Sequence, residues 1–423
     1  MLAAAVGTLL EYYDYYLFGL AASVVFPKVF FPAGDPVAAE LASFATFAVG
    51  FVLRPVGGIV FGHIADRVGR KTALIITIVL MGVATMLIGV LPGYRQIGLW
   101  APILLVVLRL VQGLSTGGEM GGATSLAVEH APPHRRGLYG SLLLSGAGVA
   151  LFVSAGLMDA FSTLPDEQFL SWGWRVPFML SGLLLVAGLL IRSRVLETPE
   201  FERVRGRRAK RARWPLLAVL RRPRSLVFGI MFGFANSIGG YVVTTYGTAY
   251  LHGRGFSATM AYTATMVAAG VEVVIAPAWG LLSDRIGRRP VFLGGCLGLA
   301  LAIFPVFWLF DTGDPVLVCL AMVLGFSGCV IAMSALSQTI LSELFDTTAR
   351  ATGIGLGYQF TAVLAGGFAP AICTALVAAA GGAAWGVCLY VIGACVLSTF
   401  AIFRLPDRAG DPLPVTTDQR SGG

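Results

Sequence analysis

The sequence predicts an all-α membrane protein of twelve transmembrane helices arranged as two six-helix bundles, and three observations lead there. Hydrophobic residues fill 57% of the 423 positions and charged residues only 12%, about half the charged share of soluble domains. Nearly charge-free runs recur along the chain, among them 73–91, 103–111 and 291–310. A run of about 18 apolar residues can cross a bilayer, where only a helix satisfies its own backbone. The third observation is a duplication. Gly62-His-Ile-Ala-Asp66-Arg67-Val-Gly69-Arg70-Lys71 returns as Gly280-Leu-Leu-Ser-Asp284-Arg285-Ile-Gly287-Arg288-Arg289. Glu129…Arg136 returns at nearly the same offset as Glu343…Arg350.

Apolar runs read against charge and Pro/Gly breaks place the first six spans at 2–25, 38–62, 72–92, 101–128, 138–161 and 173–192. Span one carries Glu11 and Asp14, which share a helix face. Span two carries Arg54-Pro55 and leads into the first signature loop, and span three is free of charge. Span four holds Arg109, with Gln112, Thr116 and Glu119 on one stripe. Its Gly113, Gly117 and Gly121 have the small-xxx-small spacing that lets helices pack closely. Span five contains Gly146-Ala147-Gly148, and span six opens on Gly173-Trp174-Arg175.

The second six fall at 223–250, 258–281, 290–310, 315–343, 351–380 and 383–404. Span seven contains Asn236, the only asparagine, followed by Ser237, Tyr241, Thr244 and Thr245. Span eight carries Glu272 and ends in the second signature loop, while span nine is apolar. Spans ten and eleven, with Ser334, Ser337, Gln338 and then Tyr358-Gln359, are the longest and leave room for extramembrane turns. Span twelve closes the set. The domains are therefore 1–192 and 223–404, joined by a basic linker at 193–222 and followed by a tail at 405–423.

The polar stretch 192–224 includes Arg205-Gly-Arg207-Arg208-Ala-Lys210-Arg211. It reads as a cytoplasmic loop obeying the positive-inside bias rather than a nucleic-acid surface. Lys28, Arg95, Arg175 and Arg254 are the basic residues on the opposite side, so both termini are expected in the cytoplasm of a bacterial inner-membrane protein. The abrupt start, with Glu11 about ten residues in, is compatible with further sequence ahead of it. Six cysteines, all in apolar runs of the second half, read as small hydrophobes rather than a disulfide framework.

Charge at bilayer depth is costly and normally faces a polar cavity. Glu11 or Asp14 is the expected protonatable group, with Arg109 its partner or a carboxylate anchor and Glu119 deeper on the same helix. Arg54 and Glu272 each lie eight residues before the glycine of their signature loop. They are therefore expected to meet, or both to border the substrate, across the central cavity. Gln112, Asn236, Tyr241, Thr245, Tyr358 and Gln359 are candidate substrate-binding groups. The signature residues Asp66, Arg67, Arg70, Asp284, Arg285 and Arg288, with Glu129, Arg136, Glu343 and Arg350, are candidate gate residues that lock and release one face. Gly113-Leu-Ser115-Thr-Gly117 fits the nucleophile-elbow pattern, but inside a membrane helix with no histidine base beside it. No enzyme activity, metal or cofactor is expected.

The doubled loop resembles the signature of the major facilitator superfamily, and Arg109-Leu-Val-Gln112-Gly113-Leu-Ser-Thr-Gly117 is similar to that superfamily's second motif. Glu11-Tyr-Tyr-Asp14, Arg54-Pro55, Gly117-Gly118-Glu119-Met-Gly121-Gly122-Ala123, Glu129-His-Ala-Pro132, Gly173-Trp174-Arg175-Val-Pro177-Phe178 and Leu196-Glu197-Thr198-Pro199 narrow it. As a set they resemble the metabolite:proton symporters, which include carriers of 2-oxoglutarate, citrate, shikimate and proline/betaine. The resemblance implies the major facilitator fold, a monomer in the lipid bilayer, and secondary transport of a small-molecule substrate. Protons are the expected coupling ion, with sodium an alternative. Arg54 and Arg109 favour an organic acid; a compatible solute, an exported metabolite and a non-transporting receptor are the other readings.

Overall fold

The structure, a computed structural model, describes residues 2–31, 34–68, 70–117, 131–194, 223–344 and 350–405. Every regular element among them is helical. Eleven stretches are long and apolar enough to cross a membrane, and the helix Leu2–Val24 stands ahead of them as span one. Span two is built from Pro36–Val52 and Arg54–Val68, and span three is Arg70–Val90. Spans four, five and six are Trp100–Gly117, Arg136–Ser162 and Arg175–Arg194. The seventh runs over Pro223–Gly253, the eighth is Ala258–Ile286 and the ninth Arg288–Asp311. The tenth covers Pro315–Leu344, the eleventh begins at Arg350 and ends at Ala379, and the twelfth is Trp385–Arg404.

Several helix starts follow from local chemistry. Asp35 accepts the Val37 amide ahead of span two, and Asp314 accepts the amides of Val316 and Leu317 ahead of span ten. A proline follows each cap at the first helical position, where a missing N–H costs nothing. Ser257 caps span eight by accepting the Met260 amide. Between spans eight and nine Gly287 takes φ 97°, which a side chain would oppose and which sets the tight reversal of the signature loop.

Spans ten and eleven contain no extramembrane turn. Their extra length is absorbed by π-helical stretches, Val323–Val330 and Ala362–Gly367, within continuous helices. Span seven has a third at Val242–Tyr246. In the first half a single π-helical stretch is described, Phe169–Gly173, just ahead of span six.

Glycine fits the helices together. Spans two and four approach so closely that a Cβ at Gly113 would collide with the Gly50 carbonyl, and one at Gly117 with the Arg54 carbonyl. No described atom stands where a Gly62 Cβ would go, whereas the equivalent Gly280 lies against Gly137 and Ser141. Among the described residues, close approach is thus seen at the second signature glycine and not at the first. The outward faces are apolar, with Val274 and Trp308 each 76% exposed, the surface a lipid-facing belt requires. The first bundle spans 2–194 and the second 223–405; residues 195–222 and 406–423 lie outside the described residues. The bundles meet where span five lies along span eight, span two along span eleven and span one along span seven.

Candidate functional site

At mid-depth, span one turns four tyrosines and one acid toward its neighbours. The Tyr12 and Tyr358 hydroxyls are hydrogen-bonded across the seam at 2.9 Å. Tyr15 packs edge-on to Phe51 at 5.1 Å between centroids and to Tyr241 of the other half at 5.8 Å. Asp14 is buried on the opposite side, inside the first bundle, with Thr85 and Arg109 as its polar neighbours. A water-sized cavity of about 10 Å³ adjoins it, lined also by Ile78, Met81 and Ser181.

Two arginines converge on this aromatic layer. The Arg54 guanidinium lies 4.7 Å from the Tyr15 ring centre and 4.4 Å from that of Phe51. Arg109 lies over Phe18 at 4.1 Å, Phe47 at 5.1 Å and Tyr15 at 5.3 Å. Its Nη1 donates to Gln112 Oε1 at 3.1 Å, and Gln112 in turn donates to Thr85 at 2.7 Å. Gly50 leaves the room that Arg109 fills. Both guanidiniums are buried, and stacking on rings offsets part of their lost hydration.

Each sequence-predicted residue can now be placed. Asp14, Arg109 and Gln112 form one chain through Thr85, with Gln112 orienting Arg109. Tyr241 and Tyr358 belong to the aromatic layer of the seam. Thr245 sits beside Gly19 of span one. Asn236 accepts a hydrogen bond from Ser334, so its amide oxygen ties spans seven and ten together. Glu272 is buried against Gly148 of span five and forms no ion pair with Arg54; both its carboxylate oxygens lack a hydrogen-bond partner among the described residues. Gln359 is likewise buried, and neither its amide nitrogen nor its oxygen has a hydrogen-bond partner among the described residues. Tyr12, Tyr15, Tyr16, Phe51 and Thr85 were not anticipated. The repeated Tyr-Tyr flanking Asp14 was the available signal for three of them.

The face bearing the signature loops is closed. Asp284 accepts the backbone N–H groups of Gly137 at 2.9 Å and Leu138 at 3.0 Å. It thereby caps span five, a helix of the other bundle, where a carboxylate is favoured by the helix dipole. Arg288 donates to Asp284 at 2.6 Å and to Ser283 at 2.8 Å, and stands 3.6 Å from Glu343. Thr339 donates to the Arg136 carbonyl at 3.4 Å. Arg285, expected in this cluster, is exposed instead, because it follows Asp284 on the helix and so points about 100° away. Glu119 and Glu129, and the side chains of Glu11, Asp66, Arg67, Arg70 and Arg350, lie outside the described residues.

The opposite face is closed as well. Asp159 accepts from Thr263 at 2.8 Å, Ser162 bonds Thr259 at 2.9 Å, and Glu40 accepts from Thr374 at 2.7 Å. Lys28 and His252 are 2.9 Å apart. The hydrogen bonds between the bundles therefore occur at both ends of the seam and at its middle.

Two pseudo-symmetric helical bundles, apolar outside and holding buried arginines and acids between polar ties at both faces, define a membrane transporter rather than an enzyme. The sequence profile of the Major Facilitator Superfamily matches residues 4–370 and 273–419, and the chain belongs to this superfamily. It is 37% identical over 410 residues to the shikimate transporter of Escherichia coli (strain K12), covering 96% of this chain and 94% of that one. An inner membrane metabolite transport protein of the same organism, YhjE, is 39% identical over 413 residues, with 96% and 91% covered. The proline/betaine transporter of that strain is 34% identical over 375 residues, with 86% and 75% covered. Among solved structures, a D-xylose-proton symporter superposes with a TM-score of 0.76 at 20% identity, covering 97% of this chain and 98% of that one. At that identity the likeness speaks for the fold.

Proposed function

We propose that this carrier imports a small organic acid together with protons, by alternating access, across a bacterial inner membrane. The observation that carries this reading is the pair of guanidiniums, Arg54 and Arg109, held over one ring, Tyr15, beside the seam. Two buried positive charges there favour a carboxylate, which an arginine can bind in a bidentate fork. Asp14 takes the coupling proton and Arg109 responds to its charge. Coulomb attraction between them is strong in a low-dielectric interior, so protonating Asp14 frees Arg109 to engage the substrate. The signature-loop face, with both termini, is the cytoplasmic one, since the basic loops lie there. The 37% identity to a shikimate transporter supports the acid reading.

A second reading rests on the aromatic layer. Tyr12, Tyr15, Tyr16, Tyr241 and Tyr358 supply ring faces that suit a substituted ammonium, and proline/betaine transporters are among the relatives. Purified protein in proteoliposomes distinguishes the two. Transport currents are recorded for a panel of hydroxylated and simple carboxylates, proline and betaine, with and without an inward proton gradient. A carboxylate current that needs the gradient and is lost in Asp14→Asn and Arg109→Ala bears out the proposal. Currents for betaine or proline alone would overturn its substrate class.

A further inference from the structure

We infer that Glu272 is a second proton-binding site, separate from Asp14, which holds a proton while the bundles are closed and exchanges it with water when they part. Glu272 is 1% exposed, and neither carboxylate oxygen has a hydrogen-bond partner among the described residues. A carboxylate so placed would leave its charge uncompensated at a cost of several kcal/mol, whereas the neutral acid avoids most of it.

Among the described residues, the surroundings supply no compensating charge. On span five the carboxyl rests on Gly148, where an added Cβ would stand 3.1 Å from it. Ser145, one turn away, has its hydroxyl on the Val273 carbonyl at 3.3 Å. On span one the Tyr16 phenol lies within electrostatic reach of Glu272, and within reach of Tyr241 of span seven and Tyr358 of span eleven. On span ten the Ser327 hydroxyl is bonded to the Ala268 carbonyl at 2.6 Å. No salt bridge from a described arginine or lysine reaches Glu272.

Position gives the site its use. Glu272 belongs to one bundle and Gly148 to the other, so the wall that keeps water from the carboxyl is the seam itself. Separation of spans five and eight at either face would hydrate Glu272, and the acid would then lose its proton to that water. Reclosure requires a proton back. The cycle therefore carries a proton through the second bundle as well as through Asp14 in the first. The inference rests on the carrier reading for its role in transport, but not for the protonation itself.

Infrared spectra of the purified full chain in lipid nanodiscs, near neutral pH, test it without any substrate. A protonated carboxylic acid shows a carbonyl stretch that ionised carboxylates lack and that shifts in deuterated water. The expected result is a loss in Glu272→Gln of intensity equal to one carboxyl per chain, with that component retained in Asp14→Asn. A folded Glu272→Gln protein with unchanged intensity overturns the inference. Should the glutamine variant fail to fold, Glu272→Asp is the second test: its moved carboxyl must shift the band, and an unshifted band overturns the inference equally. Failure of the infrared test leaves the carrier reading standing, and failure of every transport assay leaves the infrared result standing.

Discussion

Asp284→Asn isolates what holds the signature-loop face shut. In the closed form both carboxylate oxygens accept amides of span five, at 2.9 and 3.0 Å, and one also accepts Arg288 at 2.6 Å. Asparagine keeps a single acceptor oxygen, so one amide loses its partner, and the attraction for the buried Arg288 loses its charge. A charge-assisted hydrogen bond contributes about 1.5–3 kcal/mol. Removing one together with the ion pair should cost the closed form about 3 kcal/mol, the low end because Ser283 and Glu343 still hold Arg288. Little of this is lost from an open form, where water solvates the same groups. The closed-to-open ratio should therefore fall roughly a hundredfold, since about 1.4 kcal/mol is tenfold. Spin labels at His134→Cys and Arg285→Cys, both exposed and on opposite bundles, would report it by pulsed dipolar spectroscopy in a background without the native cysteines. The distance distribution should move to longer separations in Asp284→Asn. A distribution superimposable on that of the parent would refute the view that Asp284 is the latch.

Four other outcomes are expected. Gly113→Ala places a methyl against the Gly50 carbonyl and should lower stability by about 1–3 kcal/mol, read as a reduced Tm in detergent. Arg109→Lys keeps the charge but loses the flat stack on Phe18 and the fork to Gln112; kcat/KM should fall at least about tenfold, for a loss of ~1.4 kcal/mol or more. Tyr12→Phe and Tyr358→Phe remove the two ends of one hydrogen bond. A double-mutant cycle on transport or stability should show coupling of about 0.5–1.5 kcal/mol, the double variant being no worse than either single one. Thr263→Val breaks the tie to Asp159 on the opposite face and should favour opening there by about 1 kcal/mol, seen as longer distances between spin labels at Thr163→Cys and Gly253→Cys, both exposed and on opposite bundles.

Much of this was legible in the sequence because membrane helices announce themselves. With no water in the bilayer, backbone satisfaction leaves one option, and apolar runs read against charge and Pro/Gly breaks located the spans, although spans two and eight run on to Val68 and Ile286, past the expected 62 and 281, and the expected end of span four at 128 lies outside the described residues. The charges at depth were equally visible, since an Arg109 or a Glu272 has no cheap reason to be there. What periodicity could not reveal is which helix a given face meets. Tyr12 and Tyr358 lie 346 residues apart, and nothing in either neighbourhood predicts their contact. The same holds for which helix end Asp284 caps: the amides it accepts belong to the other bundle, and backbone groups carry no side-chain signature. Asn236 shows the same limit within one half: a lone amide in an apolar run gives no hint that Ser334 of span ten is its partner. The π-helical stretches escaped notice because an extra residue in an apolar run leaves the composition unchanged.

Those stretches bear on how the duplicated halves differ as machines. Spans seven, ten and eleven each carry a wide turn at mid-helix, where hydrogen-bond geometry is looser and a bend is easiest to introduce. Of their counterparts, spans one, four and five, none has such a stretch among the described residues, and span four packs closely on span two through Gly113 and Gly117. One gene-sized unit, copied once, thus carries wide turns in three helices of its second copy that the described helices at the equivalent places of the first lack. A transporter built this way need not move as two rigid blocks: three helices of the second half can wind and unwind past the cargo while the first half keeps its charges at fixed stations.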